Sequence, residues 1–221
     1  NDTFTENIIF RNTVIDSCES NKDNGRALFL TLSSDRTVFY NLTIQHIKTN
    51  KGFILTIGHT PAITGTVLFE KCNFIDCRTD ISNGDGGGLG FWCSDESEIK
   101  FDECIFRELK GKNGGAISFT ASAPRRNTKM TYTNCLFDSN TATNLGTALY
   151  VDIQAQLHIF QCNFTNNNNE NQNQNGGAIF ITNNCRNVNI EKTEFHSNIQ
   201  SSADSNGNAI YFQNQDQLVG I

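Results

Sequence analysis

The chain repeats a pattern of roughly 30 residues, and this repeat restricts its folding more than any other feature. The clearest copy is Gly-Gly-Ala-Ile, at 114–117 and again at 176–179. A second motif precedes each copy and ends in a large apolar residue. The seven residues that end this motif are spaced by 29, 30, 32, 31, 27 and 31 positions: Ile15, Ile44, Phe74, Phe106, Phe137, Phe164 and Phe195. Seven units therefore account for almost all of the 221 residues.

Alternating apolar residues show how the chain runs within a unit, because successive side chains of a strand point to opposite faces. In the sixth unit, three apolar pairs change parity in turn: Leu157/Ile159, Cys162/Phe164 and Ile179/Ile181. Each change of parity implies a corner between two short strands. One unit cannot bury its own apolar face, whereas units stacked about 4.8 Å apart share a continuous core. The sequence predicts an all-β, right-handed parallel β-helix of about seven coils, with three short strands per coil, as a single domain over 1–221.

Composition and turn spacing exclude other classes of protein. A β-sandwich would need two-residue hairpin turns about every 8 to 12 residues, but Asn-Gly occurs only about once per unit. With 17 Lys and Arg against 23 Asp and Glu, the net charge of −6 gives no basic stripe for nucleic acid. No apolar run approaches the roughly 18 residues of a membrane span, so we expect no membrane insertion by this segment.

Two motifs together resemble a known family. Gly-Gly-Ala-Ile is paired with Phe-x-x-Asn at Phe137/Asn140, Phe164/Asn167 and Phe195/Asn198. This pair resembles the repeat of the polymorphic outer-membrane proteins of chlamydiae, and the four C-terminal units carry the resemblance best. The resemblance implies a right-handed β-helix of the pectin-lyase type, displayed outside the cell, with an adhesive or structural role.

The predicted fold also hosts polysaccharide lyases and glycosidases, so the acidic residues require inspection. A glycosidase needs two carboxylates about 5 to 9.5 Å apart, which on a β-helix means acids on adjacent coils of one face. We identify no such pair in the repeat alignment, and we predict no catalytic residue, cofactor or metal site. Asp80, Asn83 and Asp85 could offer oxygen ligands to Ca²⁺, but a glycine-rich turn without metal is the favoured interpretation.

Four of the eight cysteines occupy the same inward slot of consecutive coils: Cys72, Cys104, Cys135 and Cys162. We predict a buried ladder of free thiols. Neighbouring Cβ atoms about 4.8 Å apart are too distant for a disulfide, which prefers about 3.8 Å. Cys18 and Cys77 share another column but lie two coils apart. Cys93 and Cys185 follow third strands and are expected to be exposed or bridged, with their pairing left open.

Asparagine has two predicted roles in this chain. Asn140, Asn167 and Asn198 fall at one corner of successive coils, where amide side chains can bond to the coils above and below. Four other asparagines lie in glycosylation sequons: Asn1, Asn41, Asn163 and, in the rarer Asn-x-Cys form, Asn183. Asn41 and Asn163 flank inward residues, so we expect their side chains to point outward.

An aromatic stripe is the most specific candidate for binding. On the third predicted strand, the residue between the two inward ones is Tyr150, Phe180 and Tyr211 in the last three coils. Exposed aromatic side chains suit sugar rings or a partner protein. The alternative is that a loop or a neighbouring segment covers the stripe.

These observations favour a non-enzymatic, extracellular β-helix that acts as a cell-surface display module or a fibre-forming rod. Cell-surface glycans or proteins are the expected partners, together with end-to-end self-association through the open ends of the solenoid. We also expect this segment to belong to a longer chain or assembly. A carbohydrate-active enzyme is the alternative.

Overall fold

The computed structural model describes residues 7–20, 28–30, 36–50, 52–57, 65–79, 88–91, 97–120, 128–152, 154–170, 176–182, 184–200 and 207–213. In these ranges the chain forms four parallel sheets of seven strands each, and consecutive strands of a sheet come from successive repeats. We number the sheets 1 to 4 in the order in which the chain visits them, and we call the nth strands of the four sheets coil n.

Sheet 1 contains Asn7–Arg11, Arg36–Tyr40, Thr66–Glu70, Glu98–Asp102, Thr128–Thr133, Ala155–Phe160 and Arg186–Glu191. Sheet 2 contains Val14–Asp16, Thr43–Gln45, Asn73–Ile75, Ile105–Arg107, Leu136–Asp138, Asn163–Thr165 and Glu194–His196. Sheet 3 contains Glu19–Ser20, Lys48–Thr49, Arg78–Thr79, Lys110–Gly111, Thr141–Ala142, Asn168–Asn169 and Ile199–Gln200. Sheet 4 contains Leu28–Leu30, Leu55–Ile57, Leu89–Phe91, Ile117–Thr120, Leu149–Asp152, Ile179–Ile181 and Ile210–Phe212.

The parallel β-helix predicted from the repeat is confirmed, and its seven units correspond to the seven strands of each sheet. The number of strands per coil requires a correction, because the sequence predicted three and the structure has four. The additional strands are those of sheet 3, which are two residues long. A two-residue strand contributes a single inward side chain, so it produces no alternation that a sequence pattern could reveal.

Aromatic rings fill the core in two files along the helix axis. In sheet 2, the ring centroids of Phe74, Phe106, Phe137 and Phe164 are separated by 5.2, 4.6 and 4.4 Å. In sheet 1, those of Phe39, Phe69, Phe101 and Tyr132 are separated by 4.6, 4.7 and 5.1 Å. All eight rings are buried, and the two files meet edge to face, as between Phe101 and Phe106. These contacts fix the coils in register along the bore.

In each coil, the corner between sheets 1 and 2 and the corner between sheets 2 and 3 each contain a single residue in the left-handed conformation. Between sheets 1 and 2 these residues are Asn12, Asn41, Lys71, Glu103, Asn134, Gln161 and Lys192. Between sheets 2 and 3 they are Ser17, His46, Asp76, Glu108, Ser139, Asn166 and Ser197. Residues other than glycine and asparagine are uncommon in this conformation. Backbone hydrogen bonds between coils stabilise these residues in the left-handed conformation. The Lys71 N–H donates to the Asp102 carbonyl at 2.9 Å, and the Glu103 N–H donates to the Thr133 carbonyl at 3.0 Å.

The Gly-Gly-Ala-Ile motif forms the entry to sheet 4. Gly114 has a φ of +63°, which favours glycine. Gly115 lies so close to the next coil that a Cβ atom would be 2.4 Å from the Thr147 carbonyl oxygen. Ala116 and Ile117 are both fully buried. The motif therefore supplies a glycine for the left-handed turn, a glycine for close contact with the next coil, and two side chains for the core.

Candidate functional site

The aromatic stripe is a continuous stack, but most of it is buried. The rings of Tyr150 and Phe180 are 5.7 Å apart, and those of Phe180 and Tyr211 are 5.1 Å apart. Tyr150 is 9% exposed and Phe180 is 2% exposed, whereas Tyr211 is half-buried. An exposed stripe is therefore not what the structure shows for Tyr150 and Phe180, and only Tyr211 offers substantial accessible surface.

The glycine turns explain this burial, because they lie against the outward side chains of sheet 4. An ideal Cβ on Gly146 would be 3.1 Å from the Cβ of Phe180, and one on Gly176 would be 3.3 Å from its ring. Similarly, the ring of Phe53 occupies the space beside Gly90, where a Cβ would be only 2.3 Å away from it. The outward face of sheet 4 is thus a second packed layer rather than an open surface.

A polar group lies at the end of the stripe. Asp152 accepts hydrogen bonds from Thr182 Oγ1 and Asn184 Nδ2, both at 2.8 Å, and from the Tyr150 hydroxyl at 3.4 Å. The bonds from Thr182 and Asn184 connect Asp152 of coil 5 to the chain that follows the coil 6 strand of sheet 4. Their main effect is to tie neighbouring coils together beside the stacked rings.

Two facing carboxylates on sheet 1 escaped the sequence analysis. Glu70 and Asp102 occupy directly paired positions on adjacent coils, and both are half-buried. One oxygen of Asp102, Oδ1, is buried and accepts no hydrogen bond. The backbones of adjacent strands lie about 4.8 Å apart, so paired positions allow the separation of about 5 to 5.5 Å that the two carboxyl groups of a retaining glycosidase have. The signal in the sequence was the common position of both acids directly after the core residues Phe69 and Phe101.

The acids of sheet 2 are engaged in hydrogen bonds instead. Asp138 accepts from Arg107 Nε at 3.1 Å, Thr165 Oγ1 at 2.9 Å and Asn166 Nδ2 at 3.2 Å. Partial burial opposes ionisation of Asp138, but these hydrogen bonds, with one from Ser139, outweigh it and lower its pKa. An acid that is held ionised in this way is a poor proton donor.

Asp16 occupies the same column as Asp138, in the first strand of sheet 2. Gln45 Nε2 donates to its carboxylate at 3.0 Å, and His46 Nδ1 lies 2.8 Å from its Oδ1. Hydrogen bonds from Gln45, His46 and Ser17 lower the pKa of Asp16 to about 2. Both carboxylates therefore connect neighbouring coils on the outer face of sheet 2.

The four ladder cysteines stand in one inward column, and each is at most 2% exposed. All four are free thiols, and each donates to the carbonyl two residues earlier, as Cys104 Sγ does to Asp102 at 3.3 Å. Burial and the flanking thiols raise the pKa of Cys104 well above its usual value. Elsewhere, burial raises the pKa of Cys77 to about 11 and that of the half-buried Cys185 to about 12. Cys185 is free rather than bridged, and Cys93 lies outside the described residues.

The asparagine ladder is built from amide hydrogen bonds that all run in one direction, from the Nδ2 of one coil to the Oδ1 of the next. Asn140 Nδ2 donates to Asn167 Oδ1 at 3.0 Å, and Asn167 Nδ2 donates to Asn198 Oδ1 at 2.9 Å. Each side chain also bonds the backbone, since Asn140 Oδ1 accepts from the Leu109 N–H at 3.1 Å. In the preceding coils the same column holds apolar residues, including Cys77 and Leu109. The amide ladder thus replaces an apolar column over the last three coils.

The remaining sequence candidates differ in how far the structure describes them. Asn41 and Asn163 are exposed, the first at a corner and the second on a strand of sheet 2. Asn1, Asn183 and the acidic group Asp80, Asn83 and Asp85 lie outside the described residues. Within the described part of the chain, no group of three His, Cys, Asp or Glu side chains could hold a metal ion. The same part contains no helix long and apolar enough to cross a membrane.

A comparison with protein families agrees with the architecture. A family model described as a right-handed β-helix region matches residues 5–151, about two thirds of the chain. The chain therefore belongs to the right-handed β-helix family. A search of curated proteins and a search of solved structures each gave no match.

Proposed function

We propose that this β-helix is a non-enzymatic, extracellular rod with a structural and adhesive role. The observation that carries the proposal is the direction of its polar contacts, most of which run along the helix axis from one coil to the next. The pairs Arg107–Asp138 and Gln45–Asp16 connect neighbouring coils at 3.1 and 3.0 Å. Polar side chains that bond along the axis stiffen the rod and are not free to act on a substrate.

The repeat type supports the same role. We propose that the chain carries the repeat of the polymorphic outer-membrane proteins that its motifs resemble. Gly115 allows close contact between coils, and Asn140 and Asn167 satisfy the backbone at a corner. These motif residues thus stabilise the stacking of one coil on the next, as expected of a repeat that serves display or assembly.

An extracellular location is consistent with the thiols and the sequons. The four ladder thiols are buried, so oxidants reach them slowly and the cysteine ladder tolerates an oxidising medium. Asn41 and Asn163 are exposed and available to a glycosyltransferase. Secretion of the chain from a eukaryotic host should add glycans at these two positions, and Asn163→Gln should remove the mass of one of them. A product of unmodified mass would argue against this location in a eukaryote.

Adhesion to cell-surface glycans or proteins is the proposed activity, and Tyr211 is the member of the stripe that can take part. Tyr211→Ser should weaken binding to host cells or glycan arrays several-fold. Lys129→Ser, an exposed change on sheet 1, is the matched control. Equal binding by both variants would remove the stripe from the proposal.

The facing pair Glu70 and Asp102 favours a second candidate, a carbohydrate-active enzyme. Incubation of the chain with neutral and acidic polysaccharides, followed by detection of new reducing ends or unsaturated products, separates the two functions. The structural role predicts no product above that of the Glu70→Gln/Asp102→Asn double variant. Turnover by the wild type that this variant lacks would overturn the non-enzymatic proposal.

A further inference from the structure

The four ladder cysteines stand in strict register on consecutive coils. The residue after each of the last three cysteines donates its backbone N–H to the carbonyl of the cysteine one coil earlier, at 2.9 Å in every case: Ile105 to Cys72, Leu136 to Cys104 and Asn163 to Cys135. All four thiols also take the same orientation, since each lies 3.3 or 3.4 Å from the carbonyl oxygen two residues earlier. Side chains that leave aligned strands in one direction keep the strand spacing, so neighbouring Sγ atoms are about 4.8 Å apart.

Neighbouring thiols of the ladder interact with each other. A hydrogen bond with the Cys104 thiol lowers the pKa of Cys72, and the Cys135 thiol, together with burial, raises the pKa of Cys162. The Cys135 N–H also points at the sulfur of Cys162, at 3.4 Å. In coil 2 the same slot holds the fully buried Leu42. The ladder is therefore a row of soft donor atoms in contact with one another inside an apolar bore.

The spacing of the thiols suits a metal ion that takes two ligands in a straight line. Two metal–sulfur bonds of about 2.3 Å placed end to end span about 4.6 Å, close to the strand spacing of about 4.8 Å. Thiolate sulfur selects soft ions such as Cu(I), whereas Zn²⁺ takes four ligands in a tetrahedron, which a straight file cannot supply. A monovalent ion that replaces one thiol proton leaves the pair uncharged, and an uncompensated charge in the bore would be costly.

We propose that the cysteine ladder binds soft monovalent cations of the Cu(I) and Ag(I) class, one between Cys72 and Cys104 and a second between Cys135 and Cys162. At each site the S–H bond of one thiol breaks, its proton passes to solvent, and that sulfur and a lone pair of the second sulfur bind the ion without electron transfer. The middle gap stays empty, because a sulfur that bridges two metal ions is bent and cannot continue a straight file. Since the thiols are buried, the ions enter while the coils assemble. The inference is independent of the proposed extracellular structural role.

Refolding with silver tests the proposal, since Ag(I) does not change oxidation state with thiols. The 221-residue chain is refolded from urea with Ag(I), and excess 2-mercaptoethanol then removes ions that are held by one sulfur only. Native mass spectrometry counts the retained ions, X-ray absorption counts the sulfur neighbours of each silver, and circular dichroism establishes folding. Cys104→Ala and Cys135→Ala each break one pair. Cys77→Ala is the matched control, because Cys77 is equally buried but lies between Ile47 and Leu109 in its column.

The wild type and Cys77→Ala should each retain two silver ions, each with two sulfur neighbours. Each ladder variant should retain one ion, and the double variant Cys104→Ala/Cys135→Ala should retain none. Silver should also raise the unfolding temperature of the wild type but not that of the double variant, because ligands stabilise the state that binds them. A folded wild type that retains no silver, or a Cys77→Ala protein that loses as many ions as Cys104→Ala, would overturn the proposal. The X-ray absorption result on the wild type alone decides the matter for any variant that does not fold, since silver with a single sulfur neighbour would equally overturn it.

Discussion

Asn140 Nδ2 lies 3.0 Å from Asn167 Oδ1, and the same oxygen accepts the Asn140 backbone N–H at 3.0 Å. One carbonyl group of the Asn167 side chain therefore satisfies two buried donors of the neighbouring coil. The Nδ2 of Asn167 in turn donates to the Phe137 carbonyl at 3.0 Å. Truncation of a single amide in this ladder removes partners from two coils at once.

Asn167→Ala should destabilise the fold by about 2 to 4 kcal/mol, because it leaves two or more buried polar groups without partners. Urea denaturation followed by circular dichroism measures the change in the free energy of unfolding. Asn163→Ala, an exposed change in the same coil, should have an effect within about 0.5 kcal/mol. Equal effects of the two substitutions would contradict a stabilising ladder.

Gly115→Ala should destabilise the fold by about 3 kcal/mol or more, because its Cβ would lie 2.4 and 2.5 Å from the carbonyl oxygens of Thr147 and Thr141. These oxygens belong to the backbone of the next coil, so relief would require the two coils to separate. Thermal unfolding provides the measurement, and Lys129→Ala on exposed sheet surface is the control. A Gly115→Ala protein as stable as this control would show that the coils are not in close contact here.

Thiol reactivity should distinguish the cysteines by burial. Cys18 is exposed, whereas the four ladder cysteines and Cys77 are buried. With a pKa of about 11, only about one in a thousand Cys77 side chains is a thiolate at pH 8. Alkylation at pH 8 with peptide mapping should modify Cys18 first and the ladder only in denaturant. Labelling of Cys104 in the native protein at the rate of Cys18 would contradict the buried column.

Asp16 should contribute to the acid stability of the fold. Its pKa falls from an ordinary 3.8 to about 2 on folding, so the folded state favours its ionised form. This contribution is fully present above about pH 4 and is lost as the pH falls towards 2. Between pH 4 and 2, the free energy of unfolding of Asp16→Asn should therefore fall less than that of the wild type. Asp76→Asn, which removes one negative charge beside sheet 2, is the control. An Asp16→Asn protein that loses as much stability between pH 4 and 2 as the wild type would refute the prediction.

Side-chain alternation predicted the inward columns well. The files of Phe74, Phe106 and Phe137, and of Cys72 and Cys104, follow from residues two apart that repeat in every unit. This works because each inward slot is surrounded by the same slots of its neighbours, so the environment repeats with the sequence. The family match later agreed with the β-helix inferred in this way.

Outward positions were predicted less well. Tyr150 and Phe180 alternate correctly away from the bore, yet they are buried, because alternation says which face a side chain takes but not what packs on that face. Glu70 and Asp102 have the same position within their units, but their pairing becomes evident only when every strand is placed in register. The two-residue strands of sheet 3 lack any periodic signal.

The sequence by itself determined the solenoid, the number of its coils and the residues that line its bore, because burial in a repeating environment leaves a repeating pattern. Only the tertiary structure decided the fourth strand of each coil, the left-handed corners at residues such as Lys71 and Glu103, and the packing of the glycine turns against Phe180. These features depend on hydrogen bonds and close contacts between residues about 30 positions apart. Such contacts exist only once neighbouring coils are stacked, so no local pattern of residues records them.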